Sequence, residues 1–235
     1  MMLQDYVCID LETTGLQPKT DRMIEIGAVK VHNGEIIERF ETLVNPQRKL
    51  EERITMLTGI RQEELAAAPV LDDVFPALYA FLGDLPLLGH SVLFDYSFLK
   101  KAAVDRRLTF ERKGVDTLKI ARKYLAELES RSLEYLCRHF DIPHRAHRAL
   151  GDAEATDRLY RLLAERFDDG TEVLFAPQEL IFRAKRDQPA TKAQKERLYR
   201  LVKRHKLTLE AEIEGLSRSE ASRLTDRLLS QYREG

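Results

Sequence analysis

The chain has 235 residues, 43% hydrophobic and 33% charged, with 38 Lys and Arg against 39 Asp and Glu. That length holds one large folded unit plus a small appendage, with apolar content enough for a sizeable core. No stretch approaches the ~18 apolar residues of a membrane span, and the N-terminus lacks a basic-then-apolar export signal. No membrane role is expected, and the expected location is the cytoplasm. Cys8 and Cys137 both fall in apolar surroundings and read as core thiols rather than a disulfide.

The first apolar run, Tyr6-Val7-Cys8-Ile9, reads as a buried strand and leads into Asp10-Leu11-Glu12-Thr13-Thr14-Gly15-Leu16. Asp10 and Glu12 are two residues apart, so a strand projects them from one face. A buried carboxylate pair is costly unless donors or a cation meet it. The competing reading lets both acids leave the strand into solvent, with Thr-Thr-Gly as an ordinary turn. Next, Arg22 to His32 and Glu35 to Val44 flank Asn33-Gly34, a strong hairpin signal, and form an antiparallel set with the Asp10 strand. Helices follow. Leu85 to Gly89 and a short strand near Val115 are expected to extend the sheet in parallel.

After Gly89 the pattern turns helical, with Phe94, Phe98, Leu99 and Ala102 at helical spacing. Asp95 precedes Phe98 by three and Leu99 by four, which places it on the apolar side. The helix dipole favours an acid near a helix start but does not turn it toward a core. Further along lies His147-Arg148-Ala149-Leu150-Gly151-Asp152-Ala153. Asp152 shares a helix face with Ala153, Thr156, Leu159, Tyr160 and Leu163. Five residues turn a helix by well over one turn, so the spacing suits His147 on the preceding loop and Asp152 in the first turns. His32, His139, His144 and His205 read as ordinary polar residues.

Asp10, Glu12, Asp95 and Asp152 thus come from three segments and all point inward. Four such carboxylates repel one another and raise one another's pKa values. Divalent cations remove that conflict, and cysteine-free carboxylate ligation suits Mg²⁺ or Mn²⁺ rather than zinc. A pair of such ions ~4 Å apart is the usual arrangement for in-line attack at phosphorus.

From about Gln4 to Arg166 the sequence resembles the DEDDh exonucleases, the group containing the epsilon proofreading subunit of bacterial DNA polymerase III. DLETTGL resembles the first exonuclease motif, His90 to Leu99 the second, and HRALGDA the third. Leu57-Thr58-Gly59-Ile60, Ala68-Pro69 and Asp116-Thr117-Leu118 fall where relatives carry similar residues. Ser91 stands where many relatives have Asn, and His147 argues for the His-type rather than the Tyr-type subgroup. The resemblance implies an α/β, ribonuclease H-like fold with a mixed five-stranded sheet flanked by helices. It implies a 3′–5′ exonuclease that releases nucleoside 5′-monophosphates. Asp10 is implied to bridge two metal ions, Glu12 and Asp152 to complete one, and Asp95 to support the other, with His147 as general base. Thr13, Leu16, Leu57, Thr58, His90 and Phe94 are implied to hold the terminal nucleotide, Leu16 and Phe94 by sandwiching a splayed base. The expected partner is nucleic acid with a free 3′ end, foremost single-stranded DNA. A 3′–5′ exoribonuclease of the same family is the nearest alternative, and a partner-docking subunit of a polymerase or recombination assembly is the other.

Organisation changes near Asp168. Residues 1–168 read as the exonuclease domain, 169–190 as a connector of little periodicity, and 191–235 as a small basic helical module. Its first helix runs from Thr191 to about His205, and Ser217-Arg218-Ser219-Glu220 is a capping-box pattern opening a second. From Arg183 onward there are 14 basic against 8 acidic residues, a net of +6; the preceding part has 24 against 31, a net of −7. Two helices form a marginal core by themselves, so docking on the main domain or on a DNA-processing protein through residues 183–235 is expected. A solvated charged surface is the bland alternative.

Overall fold

In the computed structural model, which describes residues 2–144, 146–171, 173–209 and 212–231, β1 (Tyr6–Thr13) runs through the middle of the sheet. It pairs antiparallel with β2 (Met23–His32), which pairs antiparallel with β3 (Glu35–Leu43). Asn33 and Gly34 take φ of 50° and 76°, the two left-handed positions a tight hairpin turn requires. Helices α1 (Glu52–Thr58), α2 (Gln62–Ala67) and α3 (Leu71–Leu82) follow. The chain then enters β4 (Leu87–Gly89), α4 (Val92–Asp105) and β5 (Lys113–Asp116). β4 lies parallel to β1 on its other side, and β5 parallel to β4. Next come α5 (Thr117–Tyr124), α6 (Leu133–His139) and α7 (Ala149–Phe167).

The expected sheet of five strands gains a sixth. Within the segment expected to be a connector, β6 (Gln178–Glu179) adds antiparallel to β5, giving the order β3-β2-β1-β4-β5-β6. Two residues carry no period that a sequence can display. The flanking Phe175 and Leu180 are buried in the two main cores, which is what holds the segment on the sheet.

Alternation along β1 sorts its side chains between two layers. Val7, Ile9 and Leu11 enter a core built with α3 and α4. Tyr6 and Cys8 enter the opposite core, with α5, α6 and α7. Asp10 and Glu12 continue the second series, so the strand aims them toward the side of the sheet that α7 covers. Both cysteines are free and buried. Among the described residues no helix is long and apolar enough to cross a membrane.

Beyond β6, α8 (Lys192–His205) and α9 (Arg218–Gln231) share a small core of Ala190, Leu198, Ile213, Leu216, Ala221 and Leu228. Both helices open on capping boxes. Thr191 and Gln194 satisfy each other's backbone at the first, and Ser217 and Glu220 do so at the second. The module is tied to the main body by Glu220, which pairs with Arg22 and with Arg48 (3.4 Å), and by Asp187, which pairs with Lys101 (3.3 Å).

Candidate active site

The acids converge at the end of β1. Carboxylate oxygens of Asp10, Glu12 and Asp152 all lie within 4.8 Å of one another. Asp10 and Glu12 arrive by strand alternation. Asp152 arrives in the first turn of α7, so its position depends on where that helix begins. Asp95, in the first turn of α4, joins from the other layer: its Oδ1 accepts the backbone N–H of Leu11 at 3.1 Å.

Two features of β2 fix the start of α7. Gly27 sits opposite Asp10 in the β1–β2 register, and a Cβ there would lie 2.0 Å from the backbone of Ala149 and Leu150. Only glycine lets the helix end approach the sheet that closely. Glu25, opposite Glu12 and fully buried, accepts from the backbone N–H of Ala149 (3.0 Å) and from Arg148 Nε (2.9 Å). Ala149 is the first residue of α7, so Glu25 satisfies one of the helix's orphan donors and meets the positive end of its dipole. An acid within the apolar run Met23-Ile24-Glu25-Ile26 was the sequence signal for this clamp, because a charge in a central strand needs a partner.

The electrostatics follow from the crowding. Burial pushes Asp10 well above the usual carboxylate range, and the charges of Asp95, Asp152 and Glu12 push it the same way. Glu12 is pushed up to about 7 by burial, then by Asp152 and Glu25. Burial also raises Asp95, against the opposing effect of its backbone hydrogen bonds. Asp152 is raised by burial, with His144 pulling the other way. Carboxylates held this high lack a counter-charge. An all-oxygen donor set of this density fits hard divalent cations, with Asp10, Glu12 and Asp152 as the first candidates to hold them.

The two histidines divide differently from the sequence expectation. His147 takes φ of 62°, and its backbone N–H donates to Asp152 Oδ2 at 3.0 Å. His144, expected to be an ordinary polar residue, is buried at its side chain and its Nε2 pairs directly with Asp152 Oδ1. Spacing could not reveal this contact, because the loop's path depends on left-handed backbone at Asp141 and His147, with φ of 55° and 62°.

The expected nucleotide-holding residues fall into two groups. Leu16 and Leu57 stand in solvent at 77% and 53% exposure, and Met56, absent from the sequence expectation, is 76% exposed beside Leu57. Phe94 is half-buried against Phe98 at a ring distance of 5.1 Å. The others are engaged internally. Thr13 Oγ1 donates to Gly15 (2.7 Å) and Thr58 Oγ1 to Ile54 (2.9 Å). His90 bonds Arg131 O through Nε2 (2.8 Å) and Thr117 through Nδ1 (2.9 Å), and burial lowers its pKa, which favours the neutral ring. Ser91 has φ of 77°, a conformation Asn enters more readily than most residues.

Comparison with known proteins agrees with this geometry. The RNase_T exonuclease family model matches residues 7–160. Curated relatives include DNA polymerase III PolC-type proteins. That of Clostridium perfringens is 35% identical over 170 residues, which are 72% of this chain, and that of Bacillus subtilis is 41% identical over 157 residues, 65% of this chain. The chain spans only about an eighth of those relatives' length: 12% and 11%. Among solved structures, exonuclease X in complex with 5′ overhanging duplex DNA superposes with a TM-score of 0.55 at 26% identity, over 69% of this chain and 92% of that one. The nuclease domain of 3′hExo, a DEDDh family member bound to rAMP, shares the fold with a TM-score of 0.58 at 22% identity, over 69% and 92%. The chain therefore belongs to the RNase_T exonuclease family and carries the DEDDh-type exonuclease fold.

Proposed function

We propose that the protein removes nucleotides one at a time from a free 3′ end, with single-stranded DNA as the preferred substrate, and releases nucleoside 5′-monophosphates. The observation that carries this reading is the meeting of Asp10, Glu12 and Asp152 oxygens within 4.8 Å on a scaffold of exonuclease type. Asp10, Glu12, Asp152 and Asp95 are assigned to hold two ions of Mg²⁺ or Mn²⁺. When bound, such ions neutralise charge at the scissile phosphate and ease deprotonation of the attacking water.

The chain's own residues supply the rest. His147, five residues before Asp152 as in the family's third motif, takes the proton of the water whose oxygen bonds to phosphorus. The bond from phosphorus to the 3′ oxygen of the preceding nucleotide breaks, and that oxygen takes a proton from solvent. His144 orients Asp152 from behind, in the way outer hydrogen bonds orient metal ligands. Leu16, Leu57 and Phe94 offer apolar surface to the terminal base, which suits stacking without sequence preference. Thr13, Thr58 and His90 shape the pocket through their internal bonds.

The neighbours include exonucleases that meet DNA and one that meets RNA: E. coli exonuclease I in complex with a dT13 oligonucleotide, and a 3′-exonuclease that recognises the histone mRNA stem-loop. Degradation of matched DNA and RNA oligonucleotides, each labelled at the 5′ end, separates the two readings. The proposal expects faster shortening of DNA from its 3′ end. Faster shortening of RNA would replace it with an exoribonuclease reading.

A further inference from the structure

We propose that the outer face of α8 is a second nucleic-acid contact, a cationic strip that holds phosphates of the substrate strand away from its 3′ end. The identity of that strand rests on the exonuclease reading above.

The argument begins with how the module's charges are sorted. Three of its acids, Glu196, Glu214 and Glu220, hold ion pairs, and Glu212 and Asp226 are exposed. Glu196 faces Lys192 (3.9 Å) and Glu214 binds Lys195 (2.6 Å) and the Tyr199 hydroxyl (3.0 Å). Glu220 is spent on Arg22 and Arg48 of the main body, and Asp187 on Lys101. Among the described residues no carboxylate pairs with Arg197, Arg200, Lys203, Arg204 or Lys206, and all five are exposed. Arg197, Arg200 and Arg204 lie at i, i+3 and i+7, one stripe along the helix, with Lys203 beside Arg200. The helix dipole accounts for cations in the last turn, such as Lys203 and Arg204, but not for Arg197 or Arg200. Like charges three and four residues apart destabilise an isolated helix by a few tenths of a kcal/mol each, ~0.2–0.5. A polyanion laid along the stripe removes that repulsion.

The position of the module supports a substrate role. Glu220 grips two loops of the main body at once. Arg22 closes the loop that carries Leu16, and Arg48 lies on the loop leading into α1, which ends at Leu57 and Thr58. A groove of about 1500 Å³ separates the module from these loops, with Arg48 and Lys49 on one wall and Leu207, Leu209 and Leu224 on the other. The strip is therefore carried by a body braced against the loops assigned to the terminal nucleotide. Tyr199, 48% exposed, lies beside the stripe, four residues before Lys203, and the exposed face of the helix carries no large aliphatic side chain. Protein interfaces draw their affinity from buried aromatic and apolar anchors within a pocket. A row of cations with one aromatic fits a phosphate backbone better.

The test uses the full chain with Arg197, Arg200, Lys203 and Arg204 all changed to Ala, and a companion in which the three arginines become Lys. Binding of a fluorescent thymidylate 30-mer is measured with Ca²⁺ in place of Mg²⁺, over about 50 to 300 mM salt. Turnover of a thymidylate trinucleotide is measured with Mg²⁺. Removing four phosphate contacts should weaken 30-mer binding by roughly 10-fold or more at the lowest salt and reduce the salt slope by up to about 3. The lysine companion should restore both, and trinucleotide turnover should be unchanged in all three proteins. Equal affinity and equal slopes for wild type and the alanine variant would overturn the strip and leave an acidic protein as its partner. Failure of the wild type to cut the trinucleotide would instead count against the exonuclease reading, while the binding slopes still decide the strip.

Discussion

The exonuclease body and the C-terminal module handle charge in opposite ways. In the body, acids from β1, α4 and α7 are driven together, with a single histidine, His144, pairing one of them, Asp152. Burial and mutual repulsion then hold their pKa values high. In the module, Glu196, Glu214 and Glu220 are engaged in ion pairs, while Arg197, Arg200, Lys203, Arg204 and Lys206 are exposed with no carboxylate partner among the described residues. The first arrangement stores a demand for a small, dense positive charge. The second displays a diffuse positive surface. The two would complement each other in the proposed nuclease, because a carboxylate cluster that binds metal also repels the phosphate strand it receives.

The largest effect should come from the body. Asp10→Asn keeps size and removes the charge at the centre of the cluster, and hydrolysis should fall by at least about 10³-fold, the scale of losing metal-assisted catalysis. Circular dichroism should show an intact fold, and the metal-free variant should melt no lower than wild type. Near-normal hydrolysis would remove Asp10 from the metal site.

The loop histidines sharpen the same region. His147→Ala should lower kcat by roughly 10²-fold or more, in line with loss of a general base. His144→Ala should act through Asp152 and cost about 10- to 100-fold in metal affinity or activity, as outer partners of metal ligands do. Part of the His144 loss should be recovered at higher Mg²⁺, whereas the His147 loss should not. The reverse pattern would exchange their roles.

Glu25→Ala leaves the buried Ala149 N–H without its acceptor and takes one partner from the half-exposed Arg148, and should destabilise the protein by about 1–3 kcal/mol in chemical denaturation. Glu25→Gln should cost less, since an amide oxygen still accepts from Ala149. Stability equal to wild type in Glu25→Ala would mean that α7 is held by Gly27 and its apolar face alone.

How far these features were legible depends on the length of pattern behind each. β1 to β3 and the hairpin at Asn33-Gly34 were readable because two-residue alternation and a tight turn persist over many residues. The convergence of Asp10, Glu12 and Asp152 was readable from strand and helix periods. β6 was not, because its two residues are held by Phe175 and Leu180 rather than by a pattern of their own. His144 was misjudged, since a loop contact is set by backbone turns that spacing does not report. The segregation of charge in the module was only half readable. Composition gave its net sign, but which acids pair with which cations is a property of the packed helices.

A smaller and continuous effect lies in the pH dependence of stability without metal. Raised carboxylates mean that the native state binds more protons than the unfolded chain over the window between the two sets of pKa values. In the chelated protein the cluster's own contribution to stability should therefore be largest below about 4.5, the ordinary Glu value, and be lost as pH rises through about 7, the folded value for Glu12. Added Mg²⁺ should raise the melting temperature more at pH 8 than at pH 5. Equal shifts at both values would mean that the ions bind elsewhere.

The most direct measurement follows a single-stranded DNA oligonucleotide labelled at its 5′ end, with wild type and Asp10→Asn side by side, in Mg²⁺ and in excess chelator. Wild type in Mg²⁺ should produce a ladder shortening one nucleotide at a time from the 3′ end, and neither the variant nor the chelated enzyme should cut. A ladder that persists in chelator, or immediate release of the 5′ label as a mononucleotide, would contradict a metal-dependent 3′–5′ exonuclease built on this carboxylate cluster.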